Sequence, residues 1–181
     1  MANPPAVTAV VCAAAPAPRA HRLVDLARAR GWAVEVVATP AAVAFLDLPA
    51  FEALAGGPVR VVHRPAPVRP APPDAVVVAP ATYNTVCKLA LGVSDNYALG
   101  SVAEAIGRGL PVAVLPFVHS AFAARAPFRA AVESLRAEGV RVVFGPGRWQ
   151  PHPPGTGDGR VDSFPWAAAL DAAGVVARGS S

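Results

Sequence analysis

"DAVVVAPATYNTVCKLALGVSDN", residues 74–96, carries the reading that decides the fold. Its first half is a continuous valine-rich run with no polar alternation, the pattern of a strand buried on both faces. The run stops at Pro80. Small polar residues follow, then Thr82 to Leu91 reads as a short amphipathic helix, and Asp95 to Ile106 as a second one. A buried strand that breaks into a polar turn and a helix is one half of a parallel βαβ unit.

The same alternation runs outward in both directions. "AVTAVVCA" (6–13) and "WAVEVVAT" (32–39) read as strands on either side of a helix from Arg19 to Arg30. In that helix Leu23, Leu26 and Ala27 fall at helical spacing, and Gly31 ends it. Thr39 before Pro40 is a helix start with a hydroxyl cap. "VRVVH" (59–63) reads as a third strand and "PVAVLP" (111–116) as a fifth. A long helix from Ala121 to Glu138 and a last strand, "VRVVFG" (140–145), close the series. Strands alternating with helices predict an α/β fold: a single-domain open parallel sheet with helices on both faces, Rossmann-like, and joined by right-handed crossovers. Residues 1–181 form one domain, interrupted by irregular proline-rich loops at 63–74 and 145–166.

Composition narrows the function classes. No apolar run approaches the roughly 18 residues that cross a bilayer, and the N-terminal apolar stretch lacks the basic start of a secretory signal. Two cysteines, Cys12 and Cys87, make no disulfide framework and have no metal-site neighbours, so a cytoplasmic protein without metal is expected. The net charge of +4 rests on scattered arginines, with Lys88 the single lysine. There is no clustered basic stripe or nucleic-acid module, and neither nucleic acid nor membrane is an expected partner.

In an open parallel sheet, ligands bind beyond the carboxyl ends of the strands. That rim comprises Ala13–Ala15, Thr39, Ala81–Thr85 and Pro116–Ser120. Its hydroxyls and backbone N–H groups suit an anion such as a phosphate. Neither the dinucleotide glycine fingerprint nor a P-loop is present, so a phosphorylated small molecule of another kind is expected.

"APATYNTVCKLALGVSDN" (79–96) resembles the motif A-P-[AL]-S-A-N-T-x-x-K-[IL]-A-x-G-x-x-D-N-L of the FMN-binding cysteine decarboxylases. That flavoprotein family includes phosphopantothenoylcysteine decarboxylase and the peptidyl-cysteine decarboxylases of lantibiotic biosynthesis. The match holds at Ala79, Pro80, Asn84, Thr85, Lys88, Leu89, Ala90, Gly92, Asp95 and Asn96, with Thr82 for Ser and Tyr83 for Ala. Upstream, "LARARGWAVEVVATPAAVAFLDLPAFEALAGGPV" (26–59) is similar to the family's second strand and following helices, and the resemblance covers about residues 7 to 145.

The resemblance implies FMN, a flavoprotein-type sheet and a homotrimer or multiple of trimers. It also implies a carbon–carbon lyase that oxidatively decarboxylates a cysteine-containing small molecule or peptide. By position, Thr39 would meet the FMN phosphate, and Pro80, Ala81, Thr82 and Asn84 would line the flavin. Thr85, Asp95 and Asn96 would shape the loop. Asn84 would also face substrate, and His63 would be the catalytic base. The flavin would take a hydride from the cysteine side chain, leaving a thioaldehyde that loses carbon dioxide to an enethiol.

Three departures shape the expected activity. The family's T-G-S-[IV]-A-A loop is here Cys12 to Ala17, with neither Gly nor Ser, so phosphate binding leans on backbone N–H groups and Thr39. The substrate clamp P-x-M-N-x-x-M-W keeps only Pro116, and His119 replaces the Asn that holds the substrate carboxylate. Phosphopantothenoylcysteine is therefore not the expected substrate. The late flap "GRWQPHPPGTGDGR" lacks the cysteine that permits reduction, so the product is released unreduced. The rival expectation is a non-catalytic flavin-binding partner subunit; a flavin redox enzyme without decarboxylation is a third.

Plainer roles stand beside these. Asn84 alone would be a helix cap, His63 a solvated loop histidine, and His119 a helix start. Cys12 and Cys87 read as small buried groups. Tyr83 stacks on the flavin or covers the loop, and Trp149 and Phe144 belong to a substrate flap or anchor the tail. Glu133 and Glu138 lie on a solvated helix face.

Overall fold

The computed structural model describes residues 4–63 and 72–174. Five strands form one parallel sheet: β1 (Ala6–Val11), β2 (Ala33–Ala38), β3 (Ala75–Ala81), β4 (Val112–Pro116) and β5 (Arg141–Val142). Their order is β2-β1-β3-β4-β5. Every residue of β3 and β4 is buried, as their uninterrupted apolar runs require. The helices are α1 (His21–Ala29), α2 (Leu48–Ala55), α3 (Tyr83–Ala90), α4 (Tyr97–Gly107), α5 (Ser120–Ala123), α6 (Ala126–Ala137) and α7 (Trp166–Ala173).

The strand order reverses direction at β1. The chain leaves β1 outward to β2, then returns to the other side of β1 for β3. Right-handed crossovers in opposite directions put their helices on opposite faces. They also part the loops after β1 and β3, opening a crevice at the carboxyl edge where the order switches. Those two loops start side by side, with the Cys12 N–H donating to the Pro80 carbonyl at 3.1 Å.

Several sequence expectations are corrected. "VRVVH" is not a strand: only Arg60 bridges to Val37, its N–H and carbonyl bonded to Val36 and Ala38 at the sheet edge. The expected helix 121–138 is broken in two. Arg125 takes extended backbone (φ −69°, ψ 135°) and Pro127 lies in the first turn of α6, where its missing N–H does no harm. The last strand shrinks to Arg141–Val142, although the Val143 N–H still reaches the Val114 carbonyl.

Helix α7 was not anticipated, and its signal was present. Trp166, Ala169, Leu170 and Ala173 form a buried i, i+3, i+4, i+7 stripe, and Gly174 closes the helix in the left-handed region (φ 58°). It packs on α1, β3 and β4. Most of the 63–74 loop lies outside the described residues. The 145–166 loop is irregular as expected, apart from a short 3-10 turn at Gly157–Arg160.

Candidate functional site

A cavity of about 350 Å3 lies at the switch point. Ala13–Ala15 after β1 form one wall and Thr82–Asn84 after β3 another. Phe117–His119 and Phe122 come from the β4 end, and His152 from the late loop. A larger open groove of about 580 Å3 lies over Arg136, Arg141 and Arg148, around the start of β5 and the end of α7. Two of its three guanidiniums are bonded to backbone carbonyls: Arg136 to Val142 and Phe144, Arg141 to Ala172 and Ala173. The switch-point cavity is the better candidate.

The turn after β3 is rigid because its hydroxyls are committed. Thr82 is the N-cap of α3; its Oγ1 accepts from the Thr85 N–H at 3.2 Å and lies 2.9 Å from the Thr85 hydroxyl. Thr85 is buried and its Oγ1 donates to Cys12 Sγ at 3.3 Å, tying the turn to the end of β1. Burial pushes the Cys12 thiol up to about 11, against a smaller opposing effect of the Thr85 hydrogen bond. Cys12 is thus a neutral post beneath the cavity, not a nucleophile. Ala81 is wholly buried in β3 and pairs with Pro116.

Since Thr82 does the capping, Asn84 does not. Its side chain is exposed, borders the cavity and has no hydrogen-bond partner among the described residues. An uncommitted amide presents both a donor and an acceptor to a ligand. Asp95 and Asn96 lie outside the cavity and organise the next turn. Lys88 donates to Asp95 at 2.5 Å, Asn96 Nδ2 donates to Asp95 at 3.1 Å, and Asn96 Oδ1 caps α4 at the Leu99 N–H, 3.0 Å away. The Lys88 hydrogen bond holds the Asp95 carboxyl below its ordinary range.

Thr39 is buried at the end of β2 in extended backbone, and it heads a 3-10 turn, Pro40–Phe45, rather than an α-helix. Its side chain makes no cap bond, so the hydroxyl is left for other use. His63 is exposed, is not among the cavity-lining residues, and meets Tyr97 edge-on at 4.8 Å.

His119 stands where the loop after β4 meets α5. It is the N-cap of α5, with Nδ1 accepting from the Phe122 N–H at 3.3 Å, and it lines the cavity. Its ring heads an aromatic column: His119 on Phe122 (4.2 Å), Phe122 on Tyr83 (4.7 Å), Tyr83 on Phe128 (5.6 Å). Tyr83 is therefore held by stacking inside the protein while bordering the cavity.

The late loop supplies what the sequence reading missed. Trp149 stacks with Phe117, meets Phe164 edge-on, and carries the Arg160 guanidinium at 4.4 Å over its ring. This pins the loop rather than forming a free flap. Phe144 packs edge-on against Phe128 in the core. Beside Trp149, His152 is buried in the cavity wall against Phe117, at 4.7 Å between centroids. A parallel bridge joins it to His119, and its carbonyl accepts from the Ser120 N–H at 2.7 Å. Only the tertiary closure of this loop reveals His152; nothing local in "QPHPP" marks it.

A model of the flavoprotein family matches residues 2–163. The chain belongs to the flavoprotein family. Solved structures agree in fold. The FMN-dependent cysteine decarboxylase SpaF superposes with a TM-score of 0.70 at 20% identity, over 94% of this chain and 98% of its own. The FMN-dependent cysteine decarboxylase TvaF, from thioviridamide biosynthesis, has a TM-score of 0.70 at 24% identity, over 94% and 98%. A dodecameric FMN-dependent UbiX-like decarboxylase from Escherichia coli gives 0.71 at 17%, over 97% and 99%. No curated protein sequence matches significantly.

Proposed function

We propose that this flavoprotein binds FMN at the switch-point cavity and oxidatively decarboxylates a substrate carrying a cysteine, with a peptide ending in cysteine as its best-matched class. The observation that carries this reading is the uncommitted Asn84 amide, projected from a turn whose two threonine hydroxyls are internally bonded. The residues present fit a flavin. Ala13–Ala15 line the same cavity as the amide with small apolar side chains, and Thr39, at the end of β2, makes no side-chain cap bond. Among the described residues no lysine or arginine lines the cavity; backbone N–H groups at its rim are left for the phosphate, with Thr39 beside the cavity rather than in its lining.

FMN, when bound, supplies a hydride acceptor for the cysteine side chain. The protein's own part is placement and proton handling. Thr82 lines the wall with Pro80 and Ala81 buried in the strand behind it, Asn84 orients ring and substrate, Thr85 holds that turn, and Asp95 and Asn96 hold the turn after it. His119, with Nδ1 engaged in its cap, is left to donate from Nε2 to a substrate carboxylate. His63 does not line the cavity of a single protomer, so a role for it as base depends on how protomers assemble. Assembly into trimers or multiples of them follows the family resemblance, and exposed Leu91 (78%), Val62, Phe45 and Val93 are apolar side chains available to an interface. Both cysteines are free, in keeping with a cytoplasmic setting. Among the described residues no helix is long and apolar enough to cross a membrane.

Equilibrium titration of the flavin-stripped protein with FMN tests the cofactor reading. Saturable binding that weakens in Asn84→Ala and Thr39→Val is expected; absence of binding by the unmodified protein would refute it.

A further inference from the structure

The cavity needs a group that can accept a proton, and only two of its lining side chains are imidazoles. His119 cannot readily serve. Its Nδ1 lone pair already accepts the Phe122 N–H, so in the neutral ring Nε2 carries the hydrogen and can only donate. His152 is different. Its side chain is 5% exposed, makes no hydrogen bond, and has Nδ1 wholly buried without a partner. With its hydrogen on the sealed Nδ1, the Nε2 lone pair is free.

The ring is also held still. Phe117 covers one side, and Gly157 approaches so closely that a Cβ there would lie 3.0 Å from Nε2. The main-chain bridge to His119 and the hydrogen bond from Ser120 fix the backbone beneath it. A buried polar nitrogen left unpaired costs about 1–3 kcal/mol, which calls for a functional reason; since Nδ1 is sealed, Nε2 is the ring nitrogen that a ligand can reach.

We propose that His152 is the catalytic base of this site, taking the proton of the substrate thiol. This rests on the reading of the substrate as a peptide ending in cysteine. The S–H bond breaks heterolytically: the proton goes to His152 Nε2, giving imidazolium, and the electron pair stays on sulfur as thiolate. The hydride that then leaves the adjacent carbon belongs to the oxidation already ascribed to FMN. His119 donates to the carboxylate while His152 accepts from the thiol, so the bridged pair grips both ends of the terminal cysteine.

The electrical surroundings keep the ring in its proton-accepting form. Burial foremost, then the neighbouring His119 and Arg160, hold the His152 pKa below its ordinary value. The ring is therefore neutral and ready to accept at pH 7. His119 faces it at 6.3 Å between centroids, and Arg160 reaches over from the 3-10 turn onto Trp149.

Two readouts test this on the FMN-loaded protein. With only four histidines in the chain, ring resonances are assignable by single substitution. Adding a synthetic pentapeptide ending in cysteine should move the His152 ring resonances, and the same peptide ending in alanine should not. In turnover, His152→Gln should lower kcat by about 100-fold or more and abolish an acid limb of kcat/KM whose midpoint lies below 6.5. Affinity for the alanine-ended peptide should change less than about threefold.

Identical shifts with both peptides, or none, would overturn the proposal even if turnover were never seen. So would a His152→Gln enzyme that keeps its rate while His63→Asn loses the acid limb. If the unmodified protein leaves the cysteine peptide unoxidised, the decarboxylase reading fails, while the thiol-dependent shift still decides the contact.

Discussion

The hydroxyl chain Thr82–Thr85–Cys12 makes a quantitative prediction about why the turn after β3 is fixed. Thr82→Ala removes an N-cap, typically about 1 kcal/mol, and the 2.9 Å hydroxyl–hydroxyl bond, about 1 kcal/mol net. It should therefore destabilise the protein by about 2 kcal/mol. Thr85→Val keeps the cap, because the backbone N–H remains, but loses the shared hydroxyl bond and the contact to Cys12. Its cost should be about 1 kcal/mol. The shared bond can be lost only once, so the double variant should cost about 1 kcal/mol less than the sum of the singles.

Urea unfolding with a constant slope reads these differences directly. In thermal unfolding each kcal/mol corresponds to roughly 2–4 °C for a domain of this size. Strict additivity, within about 0.3 kcal/mol, would refute the connected chain. A Thr82→Ala cost under about 0.5 kcal/mol would refute the cap.

Asn84→Ala should behave oppositely, changing stability by less than about 0.5 kcal/mol while weakening FMN binding about tenfold, the worth of one good hydrogen bond; calorimetry and flavin titration separate the two. A thiol reagent should label half-buried Cys87 and leave buried Cys12, whose pKa is about 11, untouched until the protein unfolds, as mass spectrometry of the labelled peptides would show. Because Lys88 lowers the folded Asp95 pKa, that pair stabilises the fold above the unfolded value of 3.8 and loses its effect as pH falls through the folded value. Lys88→Met should therefore flatten the fall of Tm in acid without adding stability there.

What was legible in the sequence was what local chemistry decides. The valine run and the two helices after it act within a few residues and stand near where their patterns put them, although β3 runs on through Pro80 to Ala81 and the caps fall on Thr82 and Asn96 rather than on Asn84. Pro127 broke a helix whose apolar spacing looked continuous, although proline restricts the backbone before it and removes a donor. The stripe from Trp166 to Ala173 has helical spacing, but it begins at the last residue of the stretch read as irregular and runs on beyond it.

"VRVVH" has strand composition, but pairing depends on a partner. At the free edge of β2 only Arg60 finds one. The site divides the same way. Thr82 and Asn84 follow from the motif, whereas His152 reaches the cavity through a loop pinned by Trp149, Phe117 and Phe164, contacts that no sequence spacing encodes.

The central claim is that the uncommitted Asn84 amide and its committed turn serve a flavin that oxidises a cysteine. The most direct measurement adds a peptide ending in cysteine, without oxygen, to the FMN-loaded protein and follows both the flavin spectrum and the peptide mass. Bleaching of the flavin, together with loss from the peptide of one carbon dioxide and two hydrogens, is the predicted result. A flavin that stays oxidised beside a peptide of unchanged mass would contradict the account.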